Sequence, residues 1–378
     1  MASSRITAWK WLHNGDEAFP AMLTAIDAAR SSVRLETYIY SDDELGRAFL
    51  AALLRAQQRG VKVKVLVDAL GSLSLPKDFF STLTAAGGEV RNFNPIALKR
   101  VAIRNHRKLL VCDDQVAFIG GFNISQEYVG DGITRGWRDL GLRFEGELVK
   151  ELAVSFDEMF ALADFRHKRM IRLRPTKQKR TIISGNEQLL LGGPGRGWNP
   201  IRRALHKDLK HARLAQIIEA YFLPTWRIRR ALTRIARTGG DVSLILAGKS
   251  DVALSQLAAH SLYRRLLKAG TRIQEYQPQI LHAKLLIFDT AVYVGSANLD
   301  PRSLSINYEL MVRFEEPQMV AEARAIFAEV SQHTQSIELA AWKRSRSLWT
   351  RFKERCAYFF LARIDPHVAR QQWKALPD

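Results

Sequence analysis

At 378 residues, 47% hydrophobic and 25% charged, the chain is globular and carries enough apolar material for one large domain or two ordinary ones. Its 57 lysines and arginines against 38 acids leave a net charge of +19, which calls for polyanionic company: nucleic acid or an anionic membrane face. No apolar run reaches membrane-spanning length, Met1 to Trp11 has no signal-peptide core, and Cys112 and Cys356 make no disulfide framework, so a reduced cytosolic setting is expected. No Cys/His cluster has metal-ligand spacing, and neither a metal nor another cofactor is expected.

In chain order, the pattern predicts a strand at Val33 to Tyr38, a helix over Leu45 to Arg59, and a strand from Val61 to Leu66. Leu83 to Gly87 then leads into a strand near Val90 to Phe93. The next stretch, Asn105 to Asp113, carries the chemistry. His106 and Lys108 stand two apart before the apolar run Leu109 to Val111, so they project from one face of a strand. Asp113-Asp114-Gln115 is a turn signal, Val116 to Ile119 a second strand, and Gly120-Gly121-Phe122-Asn123 follows. Asp139 to Glu145 and the amphipathic helix Leu148 to Phe160 close the unit.

The second half repeats this order. Ile217 to Tyr221 matches Val33 to Tyr38, pairing Glu219 with Glu36. Arg229 to Leu246 and Leu267 to Tyr276 match the helix and strands that follow. His282, Lys284 and Asp289 repeat the triplet, Leu285 to Phe288 and Ala291 to Val294 the strands, and Gly295-Ser296-Ala297-Asn298 the ending. Glu309 to Glu315 matches Asp139 to Glu145, and Met319 to Val330 is the closing helix. Asp289 lies one residue closer to its glycine than Asp113 does, which shortens the second turn. Residues 1–165 and 185–333 therefore read as two copies of one α/β unit. A basic linker spans 166–184, with Arg166, Lys168, Arg169, Arg172, Arg174, Lys177, Lys179 and Arg180. Gly192 to Gly197 lacks the Lys-Ser/Thr ending of a phosphate loop and reads as a loop near the second site.

The duplicated His-x-Lys-x4-Asp pattern resembles the HKD signature of the phospholipase D superfamily, and the chain around it is most similar to bacterial cardiolipin synthases. Glu36-Thr-Tyr-Ile39, Asp68-Ala-Leu-Gly-Ser72, Trp137-Arg-Asp139 and Asn298-Leu-Asp-Pro-Arg-Ser303 carry that likeness beyond the motifs, over roughly residues 10–355. The resemblance implies two α/β sandwich domains about a pseudo-twofold axis with the site between them. It also points to the subgroup without amino-terminal transmembrane helices. The reaction it implies moves a phosphatidyl group from one phospholipid, phosphatidylglycerol or phosphatidylethanolamine, to phosphatidylglycerol.

The chemistry needs these residue types. A phosphodiester repels nucleophiles, and a histidine that attacks it splits the displacement into two easier steps through a phosphohistidine. A second histidine must protonate the leaving alkoxide and deprotonate the incoming alcohol. His106 and His282 supply that pair, Lys108 and Lys284 the charge stabilisation, and Asn123 and Asn298 hydrogen bonds to phosphate oxygen. An attacking imidazole also needs its other nitrogen held by an acceptor. The resemblance implies this role for Asp139 and Glu309, without saying which serves which histidine. Asp113 and Asp289 complete the motifs but suit hairpin anchoring better than substrate contact. Glu36 and Glu219 are expected to anchor buried strand ends. His13, His167, His206, His211, His260, His333 and His367 have no partner pattern.

After Thr334 the chain has no counterpart in the first half. Trp342, Trp349, Phe352, Cys356 and Phe359 recur at helical spacing with Phe360 beyond them, among six lysines and arginines from Lys343 to Arg355. That is the make-up of a basic amphipathic helix lying on an anionic membrane surface; packing of the stripe on the second domain is the alternative. The expected location is peripheral, on the cytoplasmic face of the bacterial inner membrane. Against the phosphatidyltransferase stand a hydrolytic phospholipase or nuclease on the same scaffold, and a non-catalytic binder of anionic surfaces. Nucleic acid is disfavoured, because no recognition helix or interleaved aromatic platform stands out.

Overall fold

The structure is a computed structural model that describes residues 6–95, 102–163, 179–195 and 197–374. Most of the basic linker, residues 166–178, lies outside the described residues. The first sheet contains β1 (Ile6–Leu12), β2 (Ser32–Thr37), β3 (Lys62–Asp68), β4 (Glu89–Phe93), β5 (Leu109–Cys112), β6 (Val116–Gly120) and β7 (Gly141–Gly146), in the order β1-β7-β6-β5-β2-β3-β4. The second contains β8 (Thr181–Ser184), β9 (Glu187–Gly192), β10 (Leu214–Glu219), β11 (Asp241–Ala247), β12 (Arg272–Tyr276), β13 (Lys284–Phe288), β14 (Ala291–Gly295), β15 (Glu309–Phe314) and β16 (Thr334–Ser336). Its order is β16-β12-β11-β10-β13-β14-β15-β9-β8. The run β7-β6-β5-β2-β3-β4 is repeated as β15-β14-β13-β10-β11-β12, the duplication expected of two phospholipase D-like α/β sandwich domains.

Alternation along the strands explains the layers. Leu109 and Val111 of β5, with Leu285 and Ile287 of β13, point into one central core. That core also takes α4 (Leu148–Ala161) and α8 (Pro317–Ser331), so the two halves share it. Leu110 and Cys112 point outward instead, to α1 (Gly15–Ala28) and α2 (Glu44–Gln58). Leu286 and Phe288 likewise meet α5 (Pro200–His211), α6 (Trp226–Arg237) and α7 (Ala253–Lys268).

Two boundaries differ from the sequence reading. Thr181–Ser184, assigned above to the linker, pairs with β9 and is the edge of the second sheet. Thr334–Ser336, assigned to the tail, pairs with β12 at the opposite edge. The Gly192 to Gly197 loop leads into α5, which Asn199 caps by accepting from the amides of Ile201 and Arg202. The loop's Gly195 and Gly197 carbonyls accept from Lys179 at 2.9 and 3.0 Å, and neither glycine lines the cavity described below.

The tail splits where the sequence suggested one stripe. α9 (Leu339–Ser345) ends before Arg346, and α10 (Leu348–Phe359) begins at a Ser347 cap. Trp342 on α9 is buried, its ring 4.8 Å from Tyr263 and 5.1 Å from His260, with Arg346 stacked 3.6 Å above it. Its expected place on a membrane is therefore corrected: it anchors the tail to α7. Trp349, Phe352, Phe359 and Phe360 remain exposed, at 65%, 55%, 59% and 46%. A π-helical turn, Phe360–Ile364, continues into α11 (Asp365–Lys374). No helix among the described residues is long and apolar enough to cross a membrane.

Candidate active site

Each histidine sits just before the middle strand of its sheet, and its segment is stitched to the other half. His106 donates its backbone N–H to the Tyr308 carbonyl at 2.9 Å, and the Tyr308 amide returns to the Arg104 carbonyl at 2.9 Å. His282 donates to the Arg138 carbonyl at 2.7 Å, and the Arg138 amide bonds to the Ile280 carbonyl at 2.9 Å. These exchanges place the residue after each partner, Glu309 and Asp139, beside the opposite histidine. Nδ1 of His106 lies 3.1 Å from Glu309 Oε2, and Nδ1 of His282 lies 2.7 Å from Asp139 Oδ2. Which carboxylate serves which histidine was open in the sequence; the pairing is reciprocal and crosses between halves.

Gly120 and Gly295 close both hairpins with left-handed backbone, but at the next position a glycine is a steric requirement in one half only. A Cβ on Gly121 would lie 2.1 Å from Asp139 Oδ1, so that carboxylate needs a glycine there. The second half has Ser296, whose hydroxyl donates to Glu309 Oε2 at 2.5 Å. Asp113 and Asp289 do not line the cavity. Asp113 accepts from the amides of Arg30, Ser31 and Ser32, and Asp289 from those of Arg213 and Leu214, so each ties its hairpin to the start of β2 or β10. The extra residue of the first turn is accommodated by left-handed backbone at Asp113 and Asp114 (φ 55° and 56°), whereas two residues link Phe288 to Ala291.

Burial dominates the electrostatics. With Lys284 it pushes His282 down to about 4, against the pull of Asp139; His106 is lowered too, by burial despite Glu309. Both imidazoles are thus neutral at pH 7. Lys108 falls to about 7, through burial and then repulsion from Lys284, which is itself lowered by burial. Asp139 and Glu309 are raised by burial, but their histidines and nearby lysines outweigh it and hold both below the usual carboxylate range.

Asn123 and Asn298 both line the cavity. The Asn123 carbonyl accepts from the Ile39 amide while its NH2 donates to Tyr128 at 2.7 Å; Asn298 keeps a buried side-chain oxygen with no hydrogen-bond partner among the described residues. Glu36 and Glu219 are both buried but are not equivalents. Glu36 pairs across the sheet with Leu109, Glu219 with Lys284, a slip of one that turns them to opposite faces. Glu36 accepts from Asn105 at 2.7 Å and sits 3.1 Å from Arg107. Position 283 is alanine, so the second half has no such arginine.

Aromatic residues that the sequence reading did not single out complete the walls. Tyr38 meets His106 edge-on at 5.1 Å; Tyr128, Trp137 and Tyr221 surround His282 at 5.4, 5.8 and 6.1 Å. The cavity of about 410 Å³ also reaches Arg104, Asp251, Asp300 and Arg302. Tyr38, Trp137 and Arg302 lie in the short stretches that carried the family likeness, which was the available signal. Among the predicted silent histidines, His13 is 3.3 Å from Glu329 and His260 3.1 Å from Glu275, both outside the cavity.

Two histidine-carboxylate pairs, each with a lysine and facing one cavity, on a duplicated α/β scaffold, define the phospholipase D superfamily's catalytic fold. The family model described as "Cardiolipin synthase, PLD-like domain" matches residues 22–160 and 205–331. The chain is 32% identical over 373 residues to cardiolipin synthase 1 of Bacillus cereus, covering 95% of this chain and 72% of that one. It is 35% identical over 305 residues to cardiolipin synthase B of Salmonella typhi, covering 79% and 74%. In fold it is similar to the phosphatidylserine synthase of Haemophilus influenzae, with a TM-score of 0.76 at 16% identity, over 96% of this chain and 94% of that one. The chain belongs to the cardiolipin synthase family of the phospholipase D superfamily, whose general reaction type is phosphatidyl transfer.

Proposed function

We propose that the protein is a cardiolipin synthase, moving a phosphatidyl group from a donor phospholipid to the hydroxyl of phosphatidylglycerol through a phosphohistidine. The observation that carries this reading is the pair of histidines facing one cavity, each with its Nδ1 held by a carboxylate from the other half. A carboxylate at Nδ1 places the ring proton there and leaves the Nε2 lone pair for phosphorus. Attack breaks the bond from phosphorus to the headgroup oxygen. The second histidine, reprotonated as the anionic diester enters, gives that oxygen its proton. The same histidine then removes the proton from the incoming hydroxyl, which displaces the first and regenerates it. Lys108, Lys284 and Asn298 stabilise charge on the non-bridging oxygens.

The lipid cannot leave its bilayer readily, since each buried methylene contributes about 0.8 kcal/mol. The exposed Trp349, Phe352, Phe359 and Phe360, among Arg351, Lys353 and Arg355, form the surface that seats the enzyme at an anionic headgroup boundary on the cytoplasmic leaflet. The test is incubation with phosphatidylglycerol vesicles, with and without phosphatidylethanolamine, followed by lipid mass spectrometry. Cardiolipin must form in the wild type and vanish in His106→Ala and His282→Ala. Phosphatidic acid without cardiolipin would make the enzyme a hydrolase instead.

A further inference from the structure

The cavity that holds both histidines also contains a guanidinium that the transfer chemistry does not use. Arg302 follows the Asn298-Leu-Asp-Pro stretch, and its Nη1 reaches the Ala102 carbonyl of the first half at 3.4 Å, so it spans the two halves at the cavity wall. Its Nε and Nη2 each donate to Asp365 at 2.6 Å, one to each carboxylate oxygen. This is the two-pronged geometry with which arginine holds a carboxylate or a phosphate. Asp365 comes from the tail, at the first position of α11, directly after the π-helical turn; Leu361 of that turn lines the same cavity.

We propose that Arg302 is the binding residue for a second, non-reacting phosphodiester, the acceptor lipid's own phosphate, and that Asp365 is its stand-in in the empty enzyme. This rests on the reading of lipid-to-lipid transfer, because only a lipid acceptor brings such a phosphate. The reacting phosphorus belongs between the two histidines, under Lys108 and Lys284, so the acceptor's anion needs a separate cation in the same cavity. Among the described residues two guanidiniums line it. Arg104 is buried 3.2 Å from Asp68, whose other oxygen accepts the Asn105 amide; that pair sets the His106 loop. Arg302 is 39% exposed, open to a ligand.

Charge makes the exchange competitive. Asp365 is the anion on the Arg302 fork, with Asp300 nearby pushed up to about 7 by burial, so a phosphate arriving at the same two N–H groups would have to share them with a carboxylate. One must leave, and Asp365 is the one that can. Its backbone follows a π-helical turn, whose hydrogen bonding is less regular than an α-helix, whereas Asp300 is fixed by the Ser303 amide at 2.7 Å. Ile364 and Val368, on the same segment, are exposed apolar residues, so a displaced α11 has a lipid surface to rest on.

The probes are dihexanoyl phosphatidylglycerol below its micelle concentration and bis(p-nitrophenyl) phosphate, a soluble diester whose hydrolysis needs no acceptor. Arg302→Gln should weaken phosphatidylglycerol binding by roughly tenfold or more, the loss expected for a charge-assisted pair, and should cost binding far more than it costs hydrolysis of the chromogenic diester. Asp365→Asn should tighten phosphatidylglycerol binding by removing the competitor. Hydrogen exchange in residues 365–374 of the wild type should speed up on saturation with the short-chain lipid. The inference is overturned if Arg302→Gln slows both reactions alike with a lower Tm, if Asp365→Asn weakens binding, or if exchange in α11 slows with ligand. A charge-swapped R302D/D365R enzyme that recovers wild-type affinity would likewise reduce the pair to a structural strut. Affinity and exchange judge the subsite, and product analysis judges the function. A wild type that binds phosphatidylglycerol and cleaves the chromogenic diester without making cardiolipin would refute the function alone.

Discussion

Asp139→Asn and Glu309→Gln remove the same charge from equivalent positions, yet the structure predicts very different losses. Asp139 Oδ1 accepts the amide of Leu140 at 2.7 Å, so an asparagine there must turn its carbonyl to that N–H. Its NH2 then faces Nδ1 of His282, occupying the place of Oδ2 at 2.7 Å, and donates to it. The imidazole is forced to carry its proton on Nε2, the tautomer that can neither attack phosphorus nor accept a proton there. A wrong tautomer of this kind costs about 10⁴ in rate in a comparable buried histidine-aspartate pair. At Glu309 both carboxylate oxygens lie 3.1 Å from His106 Nδ1, and the Ser296 hydroxyl donates to one of them, Oε2. A glutamine therefore keeps its carbonyl toward His106, and the correct tautomer survives. What is lost is charge support for the imidazolium, on the order of 1.5–3 kcal/mol or roughly ten- to a hundredfold. Single-turnover rates on a soluble phosphodiester, with Tm measured alongside, check this. Equal losses in the two variants, or a D139N enzyme retaining a tenth of the wild-type rate, would refute the tautomer argument.

Burial and Lys284 bring Lys108 down to about 7, so its charge is present below that pH and lost above it. The free-enzyme profile of kcat/KM should fall through about pH 7, and Lys108→Arg, permanently charged, should flatten that limb. The quadruple variant W349S/F352S/F359S/F360S should abolish vesicle co-sedimentation without lowering Tm, because these residues are exposed, and should still cleave a short-chain soluble substrate. Trp342→Ala should do the reverse, destabilising by about 3 kcal/mol through the cavity left against Tyr263, while vesicle binding persists in the folded fraction. Gly121→Ala should displace Asp139 and cripple turnover while leaving unfolding by denaturant within about 1 kcal/mol of wild type, since its clash is with a carboxylate in a polar site.

The repeat and its strands were legible because the signals are local. Short apolar runs in β5 and β13, turn residues at Asp113 and Asp289, and the glycine after each hairpin are read within a dozen positions. The crossed pairing of carboxylates was not, since His106 and Glu309 meet through a strand exchange between residues about two hundred apart. Glu36 and Glu219 show the limit of aligning repeats by residue type. Both precede a tyrosine by two, but register decides which face a side chain takes, and register is fixed by partners elsewhere in the chain. The tail misled in a related way: Trp342 fits the helical spacing of Trp349 and Phe352, but the break at Arg346 and Ser347 turns it inward. No periodicity count registers a helix that stops and restarts.

The two halves share a sheet order but not a chemistry, and the differences are correlated. Where the carboxylate is the shorter aspartate, position 121 is glycine and the steering donor is a backbone amide; where it is the longer glutamate, position 296 is serine and the donor is a hydroxyl. Each set makes sense only together, because a side chain at 121 would collide with Asp139, and a glycine at 296 would leave Glu309 without its donor. The acid below Lys284 has no counterpart below Lys108, where the register brings Thr37, and Glu36 is turned away to Arg107. Reaction through a covalent intermediate asks one imidazole to attack while the other shuttles a proton, two tasks with opposite demands on protonation. Symmetric surroundings would give both rings the same proton affinity. The unequal frames, with His282 the more buried and held by the shorter contact, give them different ones.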